Sequence, residues 1–399
     1  MSTQALRMPR SGFGRGHVHA VAGCYFVASF AALGLPPYLT EILPELGDHR
    51  ARWAGVLYVV PTVFGALGAP LWGRLADRYG RKRLLLRAQL GLAVAFLLAG
   101  WADSLVTFTV ALVLQGILGG TFAASNGYLG AALQGPALSK ALTLMQGSAR
   151  AALVVAPIVV GSLSGWLSPH RQYALLAVLP LTAALLLAAL PEPEPVEQPQ
   201  GEPETDRTTP MVSLKTLYAL EFAFVFSTVI SFPYLIALVD DRLPGTSPAL
   251  SGVLFALPHL VYLVSALAVH SAFRDRPRAG IALGFACIAL GLAGHGVAGS
   301  LSTLIAVRLL LGAGLTLGLV CLSVLAADCV KGRSPGGLFG SLEFFSKAGA
   351  VAAGLAAAAG SARYGPTAPL LTGAAVALIT VCATILRSLC TRWSHTCPR

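Results

Sequence analysis

Gly55-Val56-Leu57-Tyr58-Val59-Val60-Pro61 returns 197 positions later as Gly252-Val253-Leu254-Phe255-Ala256-Leu257-Pro258. Close to the same offset, Pro37-Tyr38-Leu39 returns as Pro233-Tyr234-Leu235 and Asp77-Arg78 as Asp275-Arg276. One hydrophobic unit has been written twice in tandem.

Hydrophobic residues make up 55% of the 399 and charged residues 11%, too few charges to cover a water-soluble globule of this size. A bilayer core takes roughly 20 apolar residues per helix, and about twelve runs meet that length. They lie near 18–39, 53–72, 84–102, 105–130, 140–166, 172–190, 216–239, 250–272, 279–299, 301–327, 338–360 and 367–387, with the shortest breaks at 103–104 and 300. The predicted fold is an all-α membrane protein, with twelve transmembrane helices in two pseudo-symmetric six-helix bundles. Residues 1–190 and 216–399 form the bundles, and 191–215 form a flexible cytoplasmic linker. Pro191 to Pro210 carries six acids and six prolines without apolar periodicity, the composition of a solvated tether. Parallel repeats of this kind build many secondary transporters, whose solute site lies near the midplane where the repeats meet.

Of the 28 lysines and arginines, twenty fall on the side of the amino terminus. Five (Arg50, Arg52, Arg171, Arg242 and Arg363) fall opposite, and Arg150, Arg308 and Lys347 lie inside spans. Basic residues are retained in cytoplasmic loops, so both termini are expected in the cytoplasm and the chain in the inner (plasma) membrane. This bias accounts for the net charge of +11, and without a basic-aromatic patch no nucleic-acid partner is expected. All seven cysteines fall in spans or on the inner side, so disulfides are not expected. Cys390, His395 and Cys397 are too loosely placed to hold a metal.

Gly73-Arg74-Leu75-Ala76-Asp77-Arg78-Tyr79-Gly80-Arg81-Lys82-Arg83 joins the second and third spans. It resembles the signature loop of the major facilitator superfamily, G-x-L-A-D-R-x-G-R-K/R-x, and the duplicated twelve-span plan extends the resemblance over nearly the whole chain. The resemblance implies that Gly73, Asp77, Arg78, Gly80, Arg81 and Lys82 form a gating motif, with Asp77 latching the inner gate against the start of the eleventh span. Asp275 and Arg276 keep only the core of a second copy. Other motifs are eroded. Where proton-coupled drug exporters carry R-x-x-Q-G, Gln115-Gly116 survives but Leu112 replaces the arginine; the repeat mate restores it as Arg308 ahead of Gly312. The antiporter pattern G-P-x-x-G-G is reduced to Ala156-Pro157 and Gly161.

An ionisable side chain inside a span is costly unless it meets a partner or a wet cavity, and so marks a candidate site. Gln146 and Arg150 lie four residues apart on one helix face, and Glu343 and Lys347 repeat that spacing at offset 197. Glu343 and Lys347 can neutralise each other, either as a structural pair or as a solute or proton site. Gln146 cannot neutralise Arg150, which therefore invites an anionic group: Glu221, Glu343 or the solute itself. Glu221 can exchange a proton as a cavity opens to either side, or snorkel to the inner boundary. His259 is either a proton carrier or a hydrogen-bonded core residue. Asn126 and Gln115, with Tyr38, Tyr58 and Tyr234, can line the cavity or pack between helices.

No Walker loop, G-x-S-x-G or H-E-x-x-H occurs, so no enzyme activity and no cofactor are expected, and the energy source is a gradient. The stretch Gly336 to Glu343, with Lys347 to Val351, is similar to the eleventh span of alcaligin-type siderophore exporters. The expected function is monomeric export of a small molecule, a siderophore first, by proton antiport with alternating access. A multidrug efflux antiporter and a proton-coupled uptake symporter are the alternatives.

Overall fold

The computed structural model describes residues 14–133, 135–192, 211–330 and 335–396. Residues 193–210 of the expected linker and Cys397 lie outside these, and the side chain of Asp77 and the surroundings of Gly73 lie outside the described set as well. The described residues form α-helices, short 3-10 turns and tight connections, with no strand.

In the first half, α1 (Arg15–Gly34) gives way to a 3-10 turn at Pro36–Tyr38 and then to α2 (Leu39–Glu45). Two successive prolines remove the donors that would continue the helix. α3 (Ala54–Tyr79) and α4 (Arg81–Trp101) follow, then α5 (Leu105–Leu118), α6 (Thr121–Ala132) and α7 (Gly135–Leu163). α8 (Pro169–Leu176) and α9 (Val178–Ala188) complete the half. The second half repeats the opening device. α10 (Leu214–Val229) ends at a 3-10 turn, Phe232–Tyr234, before α11 (Leu235–Arg242). α12 (Pro248–Phe273), α13 (Pro277–His295), α14 (Leu301–Val330), α15 (Pro335–Tyr364) and α16 (Ala368–Thr396) finish the chain.

Among the described residues nine helical stretches are long and apolar enough to cross a membrane. Three shorter apolar helices, Ala54–Gly68, Leu105–Leu118 and Ala368–Thr384, stand where the second, fourth and twelfth spans are expected. The two shortest breaks carry the same cap. Ser104 Oγ accepts from Thr107 N, and 196 positions on Ser300 Oγ accepts from Thr303 N, both at 3.3 Å. Each serine satisfies an orphan N–H at a helix start.

Three local expectations change. The signature motif is not a loop: α3 runs through it to Tyr79, and the turn is the single residue Gly80, whose φ of 97° favours glycine. The fourth span is not continuous but breaks at Gly119-Gly120, with Gly120 in the left-handed region at φ 87°. The sixth span divides at Ala177, where Pro180 offers no N–H to the Leu176 carbonyl.

Within the first half α1 packs on α7 and α9, and α4 on α5, α8 and α9; within the second, α13 packs on α14 and α16, and α10 on α15. The halves meet along two repeat-related lines, α7 against α12 and α3 against α15. Lipid supplies no hydrophobic drive between helices, so close contact relies on small residues. Gly55 lies against the backbone of Gly354 and Ala358, Gly252 against Pro157, and Gly161 against Pro248, with no space for a β-carbon at any of the three glycines.

Candidate transport site

Midway along the α7–α12 contact, Arg150 Nη1 lies 3.4 Å from His259 Nδ1, and its guanidinium stands 5.6 Å from the centre of the Tyr262 ring. Among the described residues no carboxylate oxygen lies within 4 Å of Arg150, although Glu221 and Tyr25 act on it electrostatically. His259 is buried, packed by Phe232 and Phe255 at 5.9 Å each, and its Nε2 has no partner among the described residues. Glu221 lies against Ser346 of α15 and within electrostatic reach of Glu343. Glu343 and Lys347 form an ion pair at 3.3 Å, with the Glu343 side chain 66% exposed. Arg150, His259, Glu221 and Glu343 thus gather around the seam, and Gln146 is exposed one turn before Arg150 on the same helix.

Arg308 does not join them. It is 2% exposed, donating from Nε to the Leu254 carbonyl at 2.7 Å and from Nη2 to the Phe255 carbonyl at 2.8 Å. Pro258 cannot donate to Leu254 four residues back, so Arg308 fills a gap that proline opens in α12. Asn126 is exposed on α6 and is not part of the cavity wall.

Two tyrosines close the end of the seam away from Glu343. Tyr38 Oη donates to the Pro157 carbonyl at 2.6 Å and lies 3.1 Å from that of Pro248, tying α7 to α12. Its repeat mate Tyr234 accepts from Gly55 N at 3.2 Å, tying the end of α10 to α3.

A cavity of about 510 Å³ opens beneath this seal, a size ordinary for small-molecule sites. The seam was the expected place for it, yet the cavity lies inside the first half. Apart from Glu343 and Lys347, every described lining residue belongs to the first half, from Ala28 and Tyr58 to Gln115 and Tyr173, and most are apolar. Of the residues expected to line the site, Tyr58, Gln115, Glu343 and Lys347 reach it, and Arg150, His259, Glu221, Gln146, Arg308, Asn126, Tyr38 and Tyr234 are not in its wall. Trp72, Arg87 and Thr121 line it too. Sequence reading passed over them: Arg87 counted only as a topology charge, and its depth in α4 was not visible.

The motif bases hold the first half together. Arg81 Nη1 donates to the Gly127 carbonyl at 3.1 Å; Lys82 Nζ donates to the carbonyls of Ala188, at 2.8 Å, and Leu190. Arg78 is exposed beside its neighbour Tyr79. In the second copy, Asp275 pairs with Arg274 at 3.7 Å on an exposed turn that Arg276 closes through its backbone.

A helical membrane protein with two packed halves, a sealed end and an internal cavity has the architecture of a secondary transporter. The Major Facilitator Superfamily profile matches residues 21–244, more than half of the chain, and the protein belongs to that family. Multidrug resistance protein MdtG of Proteus mirabilis is 32% identical over 168 residues, covering 41% of this chain and 40% of that protein. The Dickeya zeae protein of the same name is 28% identical over 256 residues, covering 61% and 62%. The matched regions therefore span less than two thirds of these relatives. Among solved structures, the human organic anion transporter MFSD10 (TETRAN) superposes with a TM-score of 0.66 at 20% identity, covering 92% of this chain and 98% of that one. A bacterial homolog of the human lysosomal transporter Spinster, inward-facing and occupied, gives 0.72 at 13% identity, covering 93% and 96%. These two likenesses establish the fold.

Proposed function

We propose that the protein is a monomeric, proton-coupled exporter of the inner membrane that moves a small lipophilic molecule by alternating access, with both termini in the cytoplasm. The observation that carries this reading is the asymmetry of the seam: paired tyrosines close one end, while beneath them lies a cavity whose mouth holds the exposed Glu343. In this reading the sealed end is the outer one. Arg150, His259 and Glu221 form the coupling centre, since charge at the midplane is retained where protons or solute pass. Asp77 belongs to the inner latch, engaged only when the inner end closes. The multidrug-resistance names of the relatives favour export over uptake. Together with the mostly apolar wall, they favour a lipophilic cargo over an oxygen-rich siderophore.

The test uses everted membrane vesicles carrying the protein, energised to an inside-acid gradient. Ethidium should accumulate, and its addition should partly collapse the pH gradient. Vesicles in which ethidium neither moves nor discharges the gradient contradict the reading. Loss of a secreted iron chelator from a deletion strain would restore the siderophore as cargo.

A further inference from the structure

The break in the fourth span builds a notch in the cavity wall. Gly119-Gly120 ends α5 and frees its last carbonyls, and two side chains from other helices take them up. Trp72 Nε1 donates to the Ile117 carbonyl at 2.7 Å, while Arg87 donates to Leu118 at 2.7 Å and Gly119 at 3.1 Å. The Arg87 guanidinium stacks on the Trp72 ring at 3.4 Å. Its charge is therefore directed at the negative end of a helix.

Three polar atoms around this break have no partner among the described residues although buried: Arg87 Nε, Gln115 Oε1 and Thr121 Oγ1. All three residues line the same cavity, and Thr121 is 4% exposed. Buried polar atoms are nearly always hydrogen-bonded, so three such atoms on residues that line one cavity mark a recognition point. Arg87 Nε donates, Gln115 Oε1 accepts, and the threonine hydroxyl does either. An anion is disfavoured here, because the α5 carbonyls and the Gln115 oxygen surround the single guanidinium.

We propose that this notch binds a neutral group that both accepts and donates a hydrogen bond, of the carboxamide type, carried on an apolar body of drug size. The carboxamide oxygen meets Arg87 Nε and the Thr121 hydroxyl, and its N–H meets Gln115 Oε1, with the apolar remainder along Trp72 and Tyr173. The proposal rests on the exporter reading and adds where, and by which atoms, the cargo is held.

Radiolabelled benzanilide and its N-methyl derivative, which lacks the N–H, are titrated against the full-length protein in lipid nanodiscs. The wild type should bind benzanilide about tenfold more tightly than the N-methyl compound, the loss expected for one buried hydrogen bond. Gln115→Leu should erase that discrimination. Thr121→Val should weaken both ligands and Thr121→Ser should restore them, separating the hydroxyl's role from folding. A wild type that binds no benzanilide, or variants that bind both compounds as the wild type does, overturns the notch. Ethidium accumulation in everted vesicles carrying the wild type reads the exporter function separately, so the two can fail independently.

Discussion

Tyr38 and Tyr234, 196 positions apart and equivalent in the repeat, seal the same end of the molecule from opposite halves. Each hydroxyl reaches backbone that a missing side chain exposes: Tyr38 touches the Pro157 and Pro248 carbonyls beside Gly161 and Gly252, and Tyr234 meets the amide of Gly55. Equivalent positions of the two repeats thus carry two fasteners, one donating and one accepting.

Removing the hydroxyls should loosen that end. A net contribution of about 1 kcal/mol per hydrogen bond corresponds to roughly fivefold in an equilibrium. Tyr38→Phe and Tyr234→Phe should each raise, about fivefold, the rate at which an impermeant maleimide added outside labels Thr62→Cys in the cavity. The double variant should show the product of the two. Unchanged labelling would mean the glycine contacts alone hold the seal.

Arg150 and His259 should act as one coupling unit. Arg150→Ala should reduce proton-driven efflux by at least about tenfold, the loss of one charge-assisted contact. His259→Phe keeps the packing against Phe232 and Phe255 while removing the acceptor for Arg150. It should leave solute binding near normal and uncouple efflux from the pH gradient. Coupled efflux at the wild-type rate in both variants would remove this pair from the mechanism.

Arg308 should matter for stability and not for coupling. Arg308→Met leaves the buried Leu254 carbonyl beside Pro258 without its partner, at a cost of about 1–3 kcal/mol. The purified variant should unfold several degrees lower on heating, while protein that remains folded transports normally. Loss of coupling at unchanged thermal stability would place Arg308 in the proton path.

Asp77→Asn should abolish transport while leaving membrane insertion and expression near normal, because an acid among six bases is not needed for orientation. Transport at the wild-type rate in that variant would leave the motif with the structural work of Arg81 and Lys82.

The architecture was legible because its signals are local and repeated. Apolar length marks the spans, Ser104 and Ser300 mark the breaks, and the offset of 197 positions aligns the halves. What was not legible depends on contacts between distant residues. Tyr38 and Tyr234 were visible as repeat mates, but the carbonyl that Tyr38 takes across the seam lies 210 positions away. Gly119-Gly120 fell inside the fourth expected span, 105–130, because a glycine pair in an apolar run shows no sign of which side chains will take the freed carbonyls. Arg87, one of six bases in 73–87, was hidden by the same charge count that gave the topology.

Alternating access requires the two halves to tilt along the α7–α12 contact, where Arg150 meets His259. Spin labels at Arg50→Cys and Pro244→Cys report the sealed end, and labels at Arg83→Cys and Arg278→Cys report the other, read by double electron–electron resonance in nanodiscs. Imposing conditions that favour the opposite state, by pH change with ethidium present, should lengthen the first distance and shorten the second in the same sample. Two distances that stay fixed, or lengthen together, would contradict alternating access about this seam.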